Sequence, residues 1–187
     1  MLTVLDLGEP LRAFGNLVYS ADRVRAVLFY QVERCVEDFE GLAQRLVEGV
    51  GRGDLAVFFT AADVSRIRAA RGRLADVYAT IGLTNPACLR PKGDEAGCTI
   101  NLAVVSKVGL SRRGLVDLFR TAAEAKAASL TSLGLCGRCE PALGTTSDAI
   151  LALAPDGPSH YAGLATELGT EAAELIYWLL SRHARGL

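Results

Sequence analysis

The chain is short of several things, and each shortage removes a class of function. No apolar run approaches the roughly 20 residues that a membrane span requires, although half of the 187 residues are hydrophobic and the mean hydropathy is +0.26. The opening residues Met1 to Asp6 show no basic segment, sustained apolar stretch or small-residue cleavage site, so a signal peptide is not expected and a cytoplasmic location is. Neither sign of charge dominates: 20 basic residues are scattered among 21 acidic ones, for a net charge of -1. That leaves no field to gather a nucleic-acid backbone, and neither nucleic acid nor membrane is expected as partner. The arginines at 66, 68, 71 and 73 are the one local concentration, read as a solvated face with a small anion-binding patch as the alternative. Histidine is scarce, with only His160 and His183, and neither a G-x-S-x-G nor an H-E-x-x-H motif occurs, so a serine triad or a zinc-protease centre has little to be built from.

Cysteine is present but odd in number: Cys35, Cys88, Cys98, Cys136 and Cys139. In a cytoplasmic chain, isolated and largely buried thiols are the expected state. Two alternatives stay open. Cys136 and Cys139 have the spacing that lets two sulfurs meet one zinc ion, with Cys88 and Cys98 as the other ligands, and a heat-adapted source would permit a disulfide.

A chain of 187 residues without repeat, low-complexity segment or linker suits a single domain with a substantial core. Runs at 2–7, 17–20 and 24–32, broken by Gly8, Pro10 and Gly15, predict an antiparallel start. Asp38 caps a predicted helix that ends at Val50 before Gly51. Leu55 to Phe59 reads as a buried strand delivering Thr60 to Asp63 at its end, followed by a short helix over Val64 to Ala70. Strands over 76–83 and 99–106 flank a loop from Thr84 to Gly97. Ser111 starts the strongest predicted helix, to Leu133, with Leu115, Leu118, Phe119, Ala122, Lys126 and Leu130 at helical spacing. A strand over 150–154 and a helix from Thr170 complete an α/β (or α+β) pattern, a mixed sheet packed by helices.

The stretch richest in chemistry is Gly144-Thr145-Thr146-Ser147-Asp148-Ala149, placed after a helix and before a strand. Glycine permits close approach, and the four oxygen-bearing side chains can present hydroxyls and a carboxylate to a polar ligand or satisfy their own backbone. Both readings stand at this point.

Five segments in this order, Thr60-Ala61-Ala62-Asp63-Val64, Gly82-Leu83-Thr84-Asn85-Pro86, Glu124-Ala125-Lys126-Ala127-Ala128, the turn just described and Tyr161-Ala162-Gly163, resemble the adenosylcobinamide amidohydrolase family over most of the chain. The first 50 residues and Cys139 to Leu143 depart from that pattern. The resemblance implies hydrolysis of the amide between a corrin propionate and its aminopropanol arm, giving adenosylcobyric acid for cobalamin salvage. It implies a small-molecule corrinoid as partner and no cofactor, the cobalt being part of the substrate. Two rival readings are a corrinoid-binding or carrier protein without turnover and a hydrolase of another amidated metabolite. Self-association as a homo-oligomer stays open.

Amide hydrolysis needs an activated nucleophile, donors for the oxyanion and a proton for the departing amine. Asp148 is the preferred base and Asp63 the second carboxylate, each with a capping role as its alternative. Thr145, Thr146 and Ser147 are assigned to substrate binding, because an alcohol nucleophile needs a neighbouring base that the sequence does not reveal. Asn85 offers an amide donor and acceptor or simply starts a turn before Pro86. Glu124 and Lys126 are two apart on one helix and point in different directions, so one of them can face the site; Glu124 is taken as that residue. His160 reads as a solvent loop and His183 as a partner of the final helix dipole. No metal ligand set is assigned.

Overall fold

Alternating apolar side chains drive the first third of the chain into strands. A computed structural model describes residues 1–33, 38–83, 86–88, 99–136, 141–145 and 147–184. β1 (Leu2–Gly15) runs antiparallel to β3 (Arg23–Gln31), and β2 (Tyr19–Ser20) lies between them in sequence. Gly8 and Pro10 do not end β1 as expected. The pairing jumps from Asp6↔Ala26 to Leu11↔Val24, and Gly8, at φ 79° with its N–H on Asp6 Oδ1, takes the left-handed turn that a bulge of this kind needs.

α1 (Phe39–Val50) starts at Asp38, whose side chain accepts from Gly41 N, and stops at Gly51. β4 (Leu55–Thr60) is parallel to β3. The helix expected over 64–70 is only one 3-10 turn, Val64–Arg66, after which β5 (Arg68–Arg71) pairs with β6 (Ala75–Ile81). β5 is a sheet edge whose arginines are exposed, the usual protection of an edge against pairing with another chain. Arg66 and Arg73 instead pair with Asp63 and Glu167.

The loop expected over 84–97 contains a short strand, β7 (Pro86–Cys88); β8 (Ile100–Ser106) follows. α2 (Arg112–Ser132) is capped by the Ser111 hydroxyl, which accepts from Gly114 N. A further strand, β9 (Ala142–Thr145), which the sequence reading missed, enters the glycine-threonine turn and pairs with β7; β10 (Ala149–Ala154) leaves it. α3 (Glu167–Ala184) begins three residues before Thr170.

Eight strands make one mixed sheet in the order β2-β4-β3-β1-β10-β8-β6-β5, with β3/β4 and β10/β8 parallel. Period-two alternation divides the core. Ile150, Ala152, Leu102 and Val104 face α2 and α3, whereas Leu151, Leu153 and Ala103 face Val27, Phe29, Ala56 and Phe58 of β3 and β4. The sheet therefore curls on itself, and Asn101 at the start of β8 donates to Phe59 O near the end of β4 at 3.0 Å. Each fully buried Leu or Phe contributes about 1.5–3 kcal/mol. No helix among the described residues is long and apolar enough to cross a membrane.

Two thiols expected to be free are joined. Cys88 on β7 and Cys136 beyond α2 form a disulfide, so a zinc set using both sulfurs is ruled out; Cys35, Cys98 and Cys139 lie outside the described residues. The bridge ties the β7–β9 pair to the helix across a separation of 48 residues, for which chain entropy implies about 4 kcal/mol. Reduction, or Cys88→Ser, is expected to lower unfolding free energy by that order, measured by urea denaturation with and without dithiothreitol.

His183 in the last turn of α3 is held below the usual histidine range by burial and, second, by the Arg68 cation, and its Nδ1 is buried without a partner among the described residues. The neutral ring is thus favoured when folded. Stability should be full above the unfolded value near 6.5 and fall as pH drops below it, because the unfolded chain takes up the proton first. Urea midpoints from about pH 8 to about pH 5 should show this slope, flattened in His183→Phe.

Candidate functional site

Asp148 sits where β9 turns into β10, and its carboxylate is the meeting point of three elements. Oδ1 accepts from Ile100 N at the start of β8 at 2.9 Å and from the Thr145 hydroxyl; Oδ2 accepts from Thr145 N at 2.9 Å and from Lys126 Nζ on α2. The side chains of Lys126 and Asp148 are 10% and 7% exposed. A buried ion pair costs desolvation that its attraction repays only when further hydrogen bonds satisfy the charge. Four donors meet about all the lone-pair sites of a carboxylate.

The turn's backbone is held from both sides. Asn16, just after β1, donates to Asp148 O at 2.9 Å and accepts from Ile150 N at 2.7 Å. Thr99 Oγ1 donates to Ser147 O at 2.6 Å. Gly144 explains its own identity: a Cβ there would stand 2.4 Å from Asp148 Oδ2 and 2.9 Å from Lys126 Nζ, so only glycine lets the ion pair lie against the strand.

Lys126 reaches this point from the buried face of α2, in line with Ala122, Ala125, Ser129 and Leu130. The small alanines allow the helix close to the sheet. Glu124, two residues away and so about 200° around the helix, faces elsewhere. It pairs with Arg120 and lines a groove of about 1010 Å³ between α2 and α3, beside Ala128, Leu164, Tyr177 and Trp178. Of the two, Lys126 is the one that meets Asp148.

Asp63 lies three residues beyond β4 and caps the 3-10 turn, accepting from Ser65 N at 2.9 Å and Ser65 Oγ at 2.6 Å. The Ser65 hydroxyl, then its backbone N–H, hold the Asp63 carboxyl below the usual range. It makes no bond with Asp148; the two corners are linked through Asn101, which bonds Phe59 O and lies 3.3 Å from Thr99 Oγ1. Ser147 is exposed, and its carbonyl rather than its hydroxyl is engaged. Asn85 and Thr146 lie outside the described residues. His160 Nδ1 is 2.8 Å from Ser111 Oγ at the start of α2, roughly 22 Å along the helix from Lys126. Among the described residues no three His, Cys, Asp or Glu side chains come together as a metal-binding group.

With this geometry in place, comparison with known proteins is informative. Residues 3–182 match the family described as adenosylcobinamide amidohydrolase. The chain belongs to that family. A curated adenosylcobinamide amidohydrolase from Halobacterium salinarum is 35% identical over 130 residues, which cover 63% of this chain and 53% of that protein. The chain thus spans about half the length of this curated relative.

In this family member the sequence left Lys126 as the alternative to Glu124 and gave no role to Asn16, Thr99 or Asn101. Lys126 did carry a signal, because a cation in the apolar stripe of a helix needs a buried partner. Asn16 carried none: its turn partner is 132 positions away. The close approach at Gly144 gives a direct check. Gly144→Ala should destabilise by about 1–3 kcal/mol through overpacking. Gly49→Ala, in α1 with nothing within 4 Å of the added carbon, should be neutral or stabilise by up to about 1 kcal/mol; urea midpoints compare the two.

Proposed function

We propose that this chain hydrolyses the amide linking a corrin-ring propionate to its aminopropanol arm, turning adenosylcobinamide into adenosylcobyric acid. The observation that carries the reading is the buried carboxylate of Asp148, bonded at once to a hydroxyl, two backbone N–H groups and a cation, in a member of this family. The notable feature is the Thr145 hydroxyl. The two backbone donors are fixed, but a hydroxyl turns about its own bond, so Thr145 can release Asp148 Oδ1 and donate to the substrate amide instead.

Asp148 is then the base. A water at the freed oxygen gives up a proton to Oδ1 as its oxygen adds to the amide carbon. The same proton passes to the nitrogen as the C–N bond breaks, leaving a carboxylic acid on the corrin that yields its remaining proton to the freed aminopropanol amine. Asp63, three residues beyond β4, is the second carboxylate of this reading. Asn85, Thr146 and Ser147 belong to the substrate-contacting set with Thr145. The corrinoid brings its own cobalt, and none of these steps draws on another cofactor.

Asp148→Asn keeps the shape and removes the proton acceptor. Turnover, read as aminopropanol released from adenosylcobinamide, should fall by about 10²–10⁴, with corrinoid affinity largely retained and folding verified by urea denaturation. Near-normal release would remove Asp148 from the chemistry. Corrinoid binding by the unaltered protein without any release would favour a carrier.

A further inference from the structure

We propose that Lys126 is a catalytic residue of this reaction: the cation that receives the oxygen of the scissile carbonyl as it becomes an oxyanion. The inference rests on the hydrolytic reading above and adds a residue and a role to it. Its first support is a count of donors. An ammonium has three N–H groups, and among the described residues that of Lys126 has one partner, Asp148 Oδ2. The side chain is only 10% exposed, and a buried donor without an acceptor has lost its water without replacement. Ser129, the nearest hydroxyl along the same helix face, bonds back to Ala125 O at 2.6 Å instead. Two donors are thus held ready for an acceptor that the described residues do not supply.

Packing alone does not call for this residue. The stripe around it is Ala122, Ala125 and Leu130, where a Met or Leu would bury without the cost of an ion pair. The chain accepts that cost and carries no side chain opposite: a Cβ at Gly144 would stand 2.9 Å from Nζ and 2.4 Å from Asp148 Oδ2, so glycine leaves the ion pair its place.

Charge conservation supplies the mechanism. Lys126 Nζ and the Thr145 hydroxyl touch different oxygens of one carboxylate, so a carbonyl oxygen bonded to Nζ turns its carbon toward a water at Oδ1. When that water adds, its proton neutralises Asp148 and the carbonyl π pair becomes a negative charge on oxygen. One anion replaces another beside the same cation, with no net charge created in a buried place. Collapse restores the C=O, breaks the C–N bond and returns the proton to the amine, while Lys126 keeps its own protons throughout. Preorganised donors of this kind act where charge develops.

The test compares the unaltered protein with Lys126→Met, Lys126→Gln and Lys126→Arg, using adenosylcobinamide and a corrinoid in which a tetrahedral phosphonamidate replaces the scissile amide. Expected is a fall in kcat of about 10²–10³ for Met and Gln with KM within a few fold, and partial recovery with Arg. Affinity for the phosphonamidate should fall by the same factor as kcat, whereas a residue that only supports the fold would weaken substrate and analogue alike. Should Lys126→Met not fold, the Gln variant, which can still donate to Asp148, carries the comparison. Folded variants with kcat within tenfold of the unaltered protein, or with equal losses on both ligands, overturn the role of Lys126 and leave the hydrolytic reading standing. Absence of aminopropanol release by the unaltered protein overturns both.

Discussion

The carboxylate of Asp148 must be neutralised where little solvent surrounds it, and the surrounding architecture answers that requirement. Its four donors come from α2, the start of β8 and the strand leading into its own turn, so three elements distant in sequence are positioned by one charge. An ion pair of this kind tolerates little displacement, since loss of one partner strands a buried charge at a cost of about 3–5 kcal/mol. The glycine beside it, the asparagine that clamps both flanks of the turn and the threonine under Ser147 are consequences of holding that geometry.

The curl of the sheet is what makes such a meeting possible. Because β10 and β8 show one face to α2 and α3 and the other to β3 and β4, their starting ends lie between a helix that brings a cation and a strand end that brings Asp63. The alanines of α2 set the distance on the helix side. The Cys88–Cys136 bridge fastens the end of that helix to β7, the partner of the strand carrying Gly144 and Thr145. Cation, hydroxyl and carboxylate are therefore borne on parts that are covalently or topologically tied.

Local chemistry was legible in the sequence wherever a few neighbouring residues decide the outcome. Asp38 and Ser111 cap their helices as expected, Gly51 and Gly134 stand just past the helical stretches with positive φ, and the apolar alternation located most strands. Expectations failed where partners far away decide. Arg68 to Arg71 has helix-compatible residues but becomes an edge strand because β6 pairs with it. β9 is too short to show a period and exists through β7. Between Glu124 and Lys126 the sequence offered one distinction, the place of Lys126 in the apolar stripe, and the rotation of α2 brings that stripe to Asp148. The disulfide could not be inferred from spacing, since Cys88 and Cys136 are neither close in sequence nor alone.

β1 serves both halves of the sheet, its leading residues on β3 and Arg12 to Gly15 on Ala154 to Leu151. A nascent chain leaving the ribosome can pair the first of these ladders early, but the second has no partner until residues 151–154 have emerged. Until then the trailing part of β1 presents an open strand edge toward the place of β10, a species that invites wrong pairing and chaperone capture. The bulge at Gly8 interrupts the first ladder, which resumes at Leu11↔Val24 and Arg12↔Arg23 just where the second begins, so Arg12 is held on one side long before the other.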